Sequence, residues 1–236
     1  MHTWLSANKL SLNVKKSNFV IFHAPPKKIK HIVNLSLNGK VLSQDNNIKY
    51  LGIFIDSNLC WKPQIEHISK KIKRSIGIIS KLRYYVDSKI LTSLYYAMIY
   101  PFLIYGIIVW GNSYPTTLQP IFILQKKIVR IITFSNFDEH SSPLFRQLQI
   151  IKLADLVIYN VAVFMFKFHN KLLPSIFDSL FTQVNKVHRY HTRNAAKESY
   201  YLPHVRTNYG LFNIRFRGPK VWNSIDNQIK KKIRYE

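Results

Sequence analysis

Paired carboxylates are the residues that two-metal phosphoryl transfer requires, and this sequence offers almost none. Of its 11 acidic residues, only Asp138 and Glu139 are adjacent, and they lie in a polar stretch between two predicted helices. Asp56 follows a predicted strand, where a single carboxylate is more often a turn residue or a helix cap than a metal ligand. We therefore predict no metal site in this chain.

Histidine and cysteine add little further chemistry. His188 and His191 are three residues apart, but neither a third ligand nor an acidic partner lies nearby, so phosphate contact or surface exposure is favoured over metal binding. Cys60 is the only cysteine, which excludes an internal disulfide and fits a reducing compartment. No spacing of Ser, Cys and His residues indicates a nucleophile with its base.

A large excess of basic residues is the dominant chemical feature. The 236 residues include 35 Lys and Arg against 11 Asp and Glu, a formal charge of +24 with a pI of about 10.1. Such an excess repels itself in a compact fold, which favours a polyanionic partner, nucleic acid before an anionic membrane. Biased coding composition is the alternative, but it leaves the shortage of acids unexplained.

Basic residues interleaved with aromatic ones mark the predicted binding surface. Two predicted helices and one later segment carry them: Lys70, Lys73, Arg74 and Lys81, then Lys126, Lys127 and Arg130, then Arg193 near Tyr190. Contacts of Lys and Arg with phosphate give affinity without sequence preference. A solvated helix face is the alternative, but the acids that would balance such a face are largely missing.

Apolar periodicity predicts an α+β fold, with strands early and helices afterwards. Strands are predicted over 19–22 and 48–56, and Asn38-Gly39 predicts a hairpin over 35–42. After Asp56 the apolar period changes from two to about 3.6. Helices are predicted from Trp61 to Ile79, from Ser88 to Tyr100, from Leu118 to Phe134 and from Leu153 to Phe168.

A membrane span is the alternative for the segment from Ile90 to Trp110. It carries no charge and is long enough to cross a bilayer, with Tyr95 and Trp110 as interfacial anchors. Pro101 in its middle and polar residues such as Thr92 instead favour two core helices that meet at Pro101. The alternative to nucleic-acid binding is therefore a basic membrane-associated protein with one span near 90–110.

An ordered series of short motifs covers nearly the whole chain. The main ones are Trp4-x3-Asn8-x-Leu10-x-Leu12-Asn13-x2-Lys16-Ser17, Tyr50-Leu51-Gly52, Pro101-x3-Tyr105-Gly106-x3-Trp110-Gly111, Leu124-Gln125-Lys126-Lys127, Leu173-Pro174 and Gly218-Pro219-x2-Trp222-Asn223. In this order they resemble the segment that follows the catalytic Asp-Asp in reverse transcriptases of jockey-like non-LTR (LINE) retrotransposons. A single motif such as Tyr-Leu-Gly is weak evidence for this family, but the ordered set of motifs is specific to it.

The resemblance implies a role for each part of the chain. Residues 1–57 would be the end of the polymerase palm, 58–138 a helical thumb, and 139–236 a helix-rich C-terminal region. Lys16 would approach the phosphates of the incoming nucleotide, and Tyr50, Leu51 and Gly52 would form the primer grip. The basic helices would hold nucleic acid, either an RNA–DNA template–primer or duplex DNA, with no membrane and no independently bound small-molecule substrate.

The resemblance also implies limits on activity. The catalytic aspartates and their Mg²⁺ should lie upstream of Met1, so we expect this chain to have no cofactor of its own and to be inactive alone. A domesticated regulatory or structural factor would share the predicted binding and differ in cellular role. We expect an intracellular protein, nuclear if it acts as the family does.

Overall fold

The computed structural model describes residues 2–9, 13, 17–24, 27, 33–37, 39–187 and 199–232. The chain forms two compact units, residues 1–67 and residues 68–236. The described residues are mostly helical, with small two-stranded sheets confined to the first unit. This composition is compatible with the predicted α+β class.

The first unit contains one short helix and three strand pairs among its described residues. The elements are α1 (His2–Ala7), β1 (Asn18–Phe19), β2 (Ser36–Leu37), β3 (Lys40–Val41), β4 (Ser43–Gln44), β5 (Asn47–Tyr50) and β6 (Ile53–Asp56). β1 pairs with β4 in parallel, whereas β2–β3 and β5–β6 are antiparallel hairpins. The predicted strand over 19–22 is reduced to β1.

The two hairpins differ in how well they agree with the predicted strands. The predicted hairpin is confirmed by β2 and β3, because Ser36 pairs with Val41 and Gly39 has a φ of +73°. The prediction of a single strand over 48–56 is wrong. Leu51 and Gly52 have φ values of +45° and +82°, the pattern of a type I′ turn, and the chain reverses there between β5 and β6.

The long helices agree with the periodicity of the sequence. They are α2 (Lys62–Leu82), α3 (Ser88–Met98), α4 (Tyr100–Ile104), α5 (Ile107–Trp110), α6 (Pro115–Ile132), α7 (Ser141–Gln147) and α8 (Leu153–His169), followed by a 3₁₀ helix (Ser175–Phe177), α9 (Val184–Val187), α10 (Asn208–Phe212), α11 (Ile214–Ser224) and α12 (Asn227–Lys232). The four predicted helices are confirmed as α2, α3, α6 and α8. In α2 the predicted apolar face is buried, with Ile65, Ile68, Ile72, Ile76 and Ile79 at most 4% exposed.

Helix α8 is at the centre of the second unit. It is apolar on most sides, as expected of a helix with neighbours all around it, and it packs against α4, α5, α6 and α11. Its N-terminal half is anchored by Leu156 and Val161, both fully buried. Near its C-terminal end, Met165 joins Tyr200 and Trp222 in a second apolar cluster.

The uncharged segment 90–110 is divided among three helices. Helix α3 ends at Met98, Pro101 occupies the first turn of α4, and Gly106, with a φ of +63°, separates α4 from α5. Proline lacks the N–H group that a continuous helix needs at this point. In the part of the chain that the structure describes, no helix is both long enough and apolar enough to cross a membrane, so the membrane alternative is not favoured.

Candidate nucleic-acid interface

Asp56 fixes the chain reversal that leads from β6 into α2. Its two carboxylate oxygens accept hydrogen bonds from the backbone N–H groups of Cys60 (2.9 Å) and Trp61 (2.7 Å). The Asp56 side chain is buried, and Trp61 has a φ of +64° just before the helix begins. The interpretation of Asp56 as a turn residue is therefore confirmed.

Among the described residues, the Cys60 thiol is not activated as a nucleophile and no metal cluster is formed. Burial raises the pKa of the Cys60 thiol above its ordinary value, and a hydrogen bond with Asp56 acts in the same direction. The thiol is therefore protonated near pH 7, whereas a nucleophilic cysteine must be ionised. Within the described ranges, which do not include His188 and His191, no group of three His, Cys, Asp or Glu side chains could hold a metal ion.

The predicted primer-grip residues form the tip of the β5–β6 hairpin. Tyr50 and Leu51 are 63% and 73% exposed, and Gly52 is exposed beside them. The base of the hairpin is anchored to the beginning of α2, because the Phe54 N–H group donates to the Gln64 side chain at 2.9 Å. The result is a protruding turn on a fixed support.

Four predicted cations lie on the outer side of α2. Lys70, Lys73, Arg74 and Lys81 are all exposed, and Lys70, Arg74 and Lys81 follow one another on the face opposite the buried isoleucines. At 1.5 Å per residue this strip is about 16 Å long. Among the described residues, no carboxylate is within ion-pair distance of these four side chains.

The cations of α6 are divided between two sides of that helix. Lys127 and Arg130 line a cavity of about 640 Å³ together with Arg83, Phe134 and Phe137. The Arg130 Nε donates to the backbone carbonyl of Glu139 at 2.8 Å, which fixes its guanidinium. Lys126 lies outside this cavity, with its ammonium 4.5 Å from the centre of the Phe122 ring.

Two of the predicted binding residues lie outside the described part of the chain. They are Lys16, the predicted phosphate-assisting residue, and Arg193, the predicted cation of the C-terminal region. Conversely, the sequence did not single out Arg83, Phe134 and Phe137 as a group. The run Arg83-Tyr84-Tyr85 was the available signal for an exposed aromatic and basic site. Two consecutive tyrosines after a basic helix are unusual where the end of the helix is buried.

This basic, largely helical chain is similar in sequence to polymerases of mobile elements. It is 29% identical over 124 residues to the "RNA-directed DNA polymerase from mobile element jockey" of Drosophila melanogaster, covering 51% of this chain and 14% of that protein. It is 26% identical over 159 residues to the jockey polymerase of Drosophila funebris, covering 65% of this chain and 17% of the relative. Its homologues are polymerases of non-LTR retrotransposons.

A third relative extends the same relationship. The "Probable RNA-directed DNA polymerase from transposon BS" of Drosophila melanogaster is 28% identical over 122 residues, 49% of this chain. The chain spans less than a fifth of the length of the curated polymerases that it matches. No family model matches the chain, and no solved structure matches it.

The motifs on which the resemblance to these polymerases rests are mainly structural. Trp110 is fully buried, and its indole N–H donates to the Tyr105 carbonyl at 2.8 Å. A Cβ at Gly111 would lie 2.4 Å from the Ile107 carbonyl oxygen, so no larger residue fits there. The Asn223 side chain accepts from the Tyr200 N–H (3.0 Å) and donates to its carbonyl (2.8 Å).

Gln125 is the most highly connected of these motif residues. It is 1% exposed, and its amide nitrogen donates to the Tyr95 hydroxyl (3.1 Å) and to the Ile151 carbonyl (2.8 Å). Its amide oxygen accepts from the Leu153 N–H at 2.9 Å. A single buried amide thus ties α6 to α3 and to the beginning of α8, with its hydrogen-bonding groups satisfied.

Proposed function

We propose that this chain is the thumb, with the adjoining end of the palm, of a non-LTR reverse transcriptase and that it binds template–primer nucleic acid. The observation that carries the proposal is the exposed cationic strip on the outside of α2, whose side chains meet no carboxylate among the described residues. The proposed thumb, residues 58–138, contains eleven Lys or Arg residues and three acids, Glu66, Asp87 and Asp138. The homology to RNA-directed DNA polymerases supports the choice of nucleic acid as the polyanion.

The physical basis of the proposed binding is contact with phosphates. Lys70, Arg74 and Lys81 form a strip about 16 Å long, and phosphates of one strand recur about every 3.4 Å along a duplex axis. The strip can therefore follow about five phosphates. The buried isoleucine face holds the helix in place, so the cations approach the backbone without a cost in helix ordering. Binding of this kind does not depend on base sequence.

The proposal gives the first unit a positioning role. The exposed tip Tyr50-Leu51-Gly52 would hold the primer end, and Lys16 would approach the phosphates of the incoming nucleotide. The proposed boundaries are 1–57 for the palm segment, 58–138 for the thumb and 139–236 for the C-terminal region. The described residues contain no cluster that fits Mg²⁺, so no metal-dependent step is assigned to them.

The test is binding of the purified chain to a labelled RNA–DNA primer–template between about 50 and 300 mM salt. The variant carries Lys70→Glu, Lys73→Glu and Arg74→Glu. If each cation neutralises one phosphate, the slope of log K against log salt should fall by about 2 to 3 in magnitude, with a loss of affinity of at least tenfold at low salt. Duplex DNA as competitor measures the preference between the two ligands.

A matched control separates local contact from net charge. The variant with Lys167→Glu, Lys171→Glu and Arg215→Glu loses the same six units of charge from exposed positions on or next to α8 and α11. It should keep most of the affinity. Absence of binding by the folded chain, or equal losses in both triple variants, would contradict the proposed thumb contact.

A further inference from the structure

Beyond the cationic strip, we infer that the cavity between the C-terminal ends of α2 and α6 binds an unpaired nucleotide of a single-stranded RNA or DNA segment; this rests on the proposed nucleic-acid binding. The cavity has a volume of about 640 Å³, within the usual range of ligand sites. Its walls combine basic side chains with exposed aromatic rings, the two features by which proteins hold unpaired nucleotides.

The charge of the cavity is uniformly positive. Arg83, Lys127 and Arg130 line it, and none of its lining residues is acidic. The neighbouring acids Asp138 and Glu139 are exposed and do not line it, and Glu139 contributes only its backbone carbonyl to Arg130. Three cations around one opening favour an occupant that carries phosphate.

Arg83 lines the cavity, and its side chain lies beside two aromatic rings. Its Nε is buried and has no acceptor among the described residues. The guanidinium is 4.8 Å from the centre of the Phe134 ring and 5.7 Å from that of Tyr84, so the two rings orient it. A buried donor without an acceptor is rare in folded proteins, so the Arg83 guanidinium keeps unused hydrogen-bonding capacity beside the cavity.

Phe134 presents its ring from a backbone position that normally belongs to glycine. It follows the end of α6 with a φ of +59°, the left-handed conformation in which helices commonly terminate at glycine. Its ring is nevertheless 49% exposed, and Phe137 nearby is 89% exposed. Neither burial nor backbone preference explains an aromatic residue at this site, whereas contact of the ring with the Arg83 guanidinium and stacking on a base do.

Unpaired nucleic acid fits these features better than duplex. Base faces in a duplex are covered by their neighbours, so exposed Phe134 and Phe137 can stack only on a base that has left the helix. The occupant is therefore an unpaired base with its phosphate directed to Lys127 and Arg130.

The test compares three labelled probes with the intact chain: a blunt RNA–DNA hybrid, the same hybrid with an unpaired overhang containing 2-aminopurine, and the overhang strand alone. Wild type should bind the overhang hybrid about tenfold more tightly than the blunt one, with quenched 2-aminopurine fluorescence. Phe134→Gly and Phe137→Ala should each abolish most of this preference and the quenching. Affinity for the blunt hybrid should be unchanged.

The choice of variants separates a loss of base stacking from a loss of folding and from the general loss of an exposed aromatic ring. Phe134→Gly should fold at least as well as wild type, because glycine prefers the left-handed position. Tyr159→Ala removes another exposed aromatic ring, 54% exposed on α8, and should preserve the preference and the quenching. Unchanged preference and quenching in both Phe variants would overturn the nucleotide site.

The outcomes also separate this site from the proposed thumb contact. If blunt-hybrid binding depends on Lys70, Lys73 and Arg74 while the Phe variants behave as wild type, the thumb contact stands and the cavity does not bind a base. If only the overhang and single strand bind, and the Phe variants lose them, the cavity is supported and the duplex grip is rejected. If no probe binds, both proposals fail.

Discussion

At the scale of single residues, Tyr95 and Gln125 show how a buried polar pair constrains the second unit. Tyr95 is 1% exposed, and its hydroxyl accepts a hydrogen bond from the Gln125 amide. Burial raises the pKa of this hydroxyl far above its ordinary value of 10.0, and the hydrogen bond from Gln125 offsets only part of the rise. The fold therefore stabilises the protonated form of Tyr95 relative to the unfolded chain.

This pKa shift predicts a loss of stability at alkaline pH. Below pH 10 the hydroxyl keeps its proton in both states, so the full stability is present. Above pH 10 the unfolded chain releases the proton first, and the free energy of unfolding should fall by about 1.4 kcal/mol per pH unit from this group. Urea denaturation of wild type and of Tyr95→Phe at several pH values measures this fall in the free energy of unfolding.

The phenylalanine variant identifies the contribution of Tyr95. At neutral pH it should be less stable by about 1 kcal/mol, because Gln125 loses a hydrogen-bonding partner. Above pH 10 the two stability curves should converge, since only the wild type can lose the proton. Tyr85→Phe, at a residue that is 84% exposed, controls for the loss of a tyrosine hydroxyl. Parallel curves for wild type and Tyr95→Phe would contradict the assignment.

At the scale of elements, two glycines within the second unit have opposite surroundings. Gly111 directly follows α5, where a Cβ would lie 2.4 Å from the Ile107 carbonyl oxygen and 2.8 Å from a Val157 methyl group. Gly77 lies inside α2, where a Cβ would meet nothing within 4 Å. Close packing of α5 on α8 therefore requires the first glycine, whereas packing gives no reason for the second.

The two alanine substitutions should change stability in opposite directions. Gly111→Ala should lower the free energy of unfolding by about 2 kcal/mol or more, because backbone must move to admit the methyl group. Gly77→Ala should raise it by about 1 kcal/mol, because alanine has the higher helix propensity. Urea denaturation of the two variants measures both effects, and changes of the same sign would contradict this account of the packing.

Gly77 also tests the binding face of α2. It lies between Arg74 and Lys81 on the outer side of the helix, so a phosphate backbone can approach it closely. If the bound nucleic acid contacts the helix there, Gly77→Ala should combine higher stability with weaker binding. Higher stability together with weaker binding would give Gly77, which packing does not explain, a role in the proposed nucleic-acid binding.

At the scale of the whole molecule, the formal charge of +24 opposes the compact state. Like charges on a folded chain repel one another, and salt screens this repulsion over about 10 Å at 0.1 M. The same salt weakens contact with phosphates, because the release of bound counterions then gains less entropy. Stability and nucleic-acid binding should therefore respond to salt in opposite directions.

The expected size of the stability effect is modest. Between about 50 and 300 mM NaCl the free energy of unfolding should rise by about 1 kcal/mol, which corresponds to a rise in Tm of about 2–4 °C. Thermal unfolding followed by circular dichroism measures it. The variant with Lys70→Glu, Lys73→Glu and Arg74→Glu should show a smaller rise, and a Tm that falls with salt in the wild type would contradict the expected screening.

Local patterns in the sequence were sufficient to predict four of the helices and the relationship to non-LTR polymerases. Apolar residues at three- and four-residue steps identify a buried helix face wherever the rest of the fold lies, so α2, α3, α6 and α8 were predictable. The turn at Asp56 and the hairpin at Gly39 were also local, because their hydrogen bonds join residues close in sequence.

The meeting of distant residues depends on the tertiary fold. The run Ile48–Asp56 has strand composition throughout, and the reversal at Leu51-Gly52 overrides it because β5 and β6 pair with each other. Gln125 looked like one polar residue among basic ones, yet it is buried by α3 and α8. Arg83 and Phe134 are about fifty positions apart in the chain, and helix packing alone brings them together, because no local pattern encodes contact across such a distance.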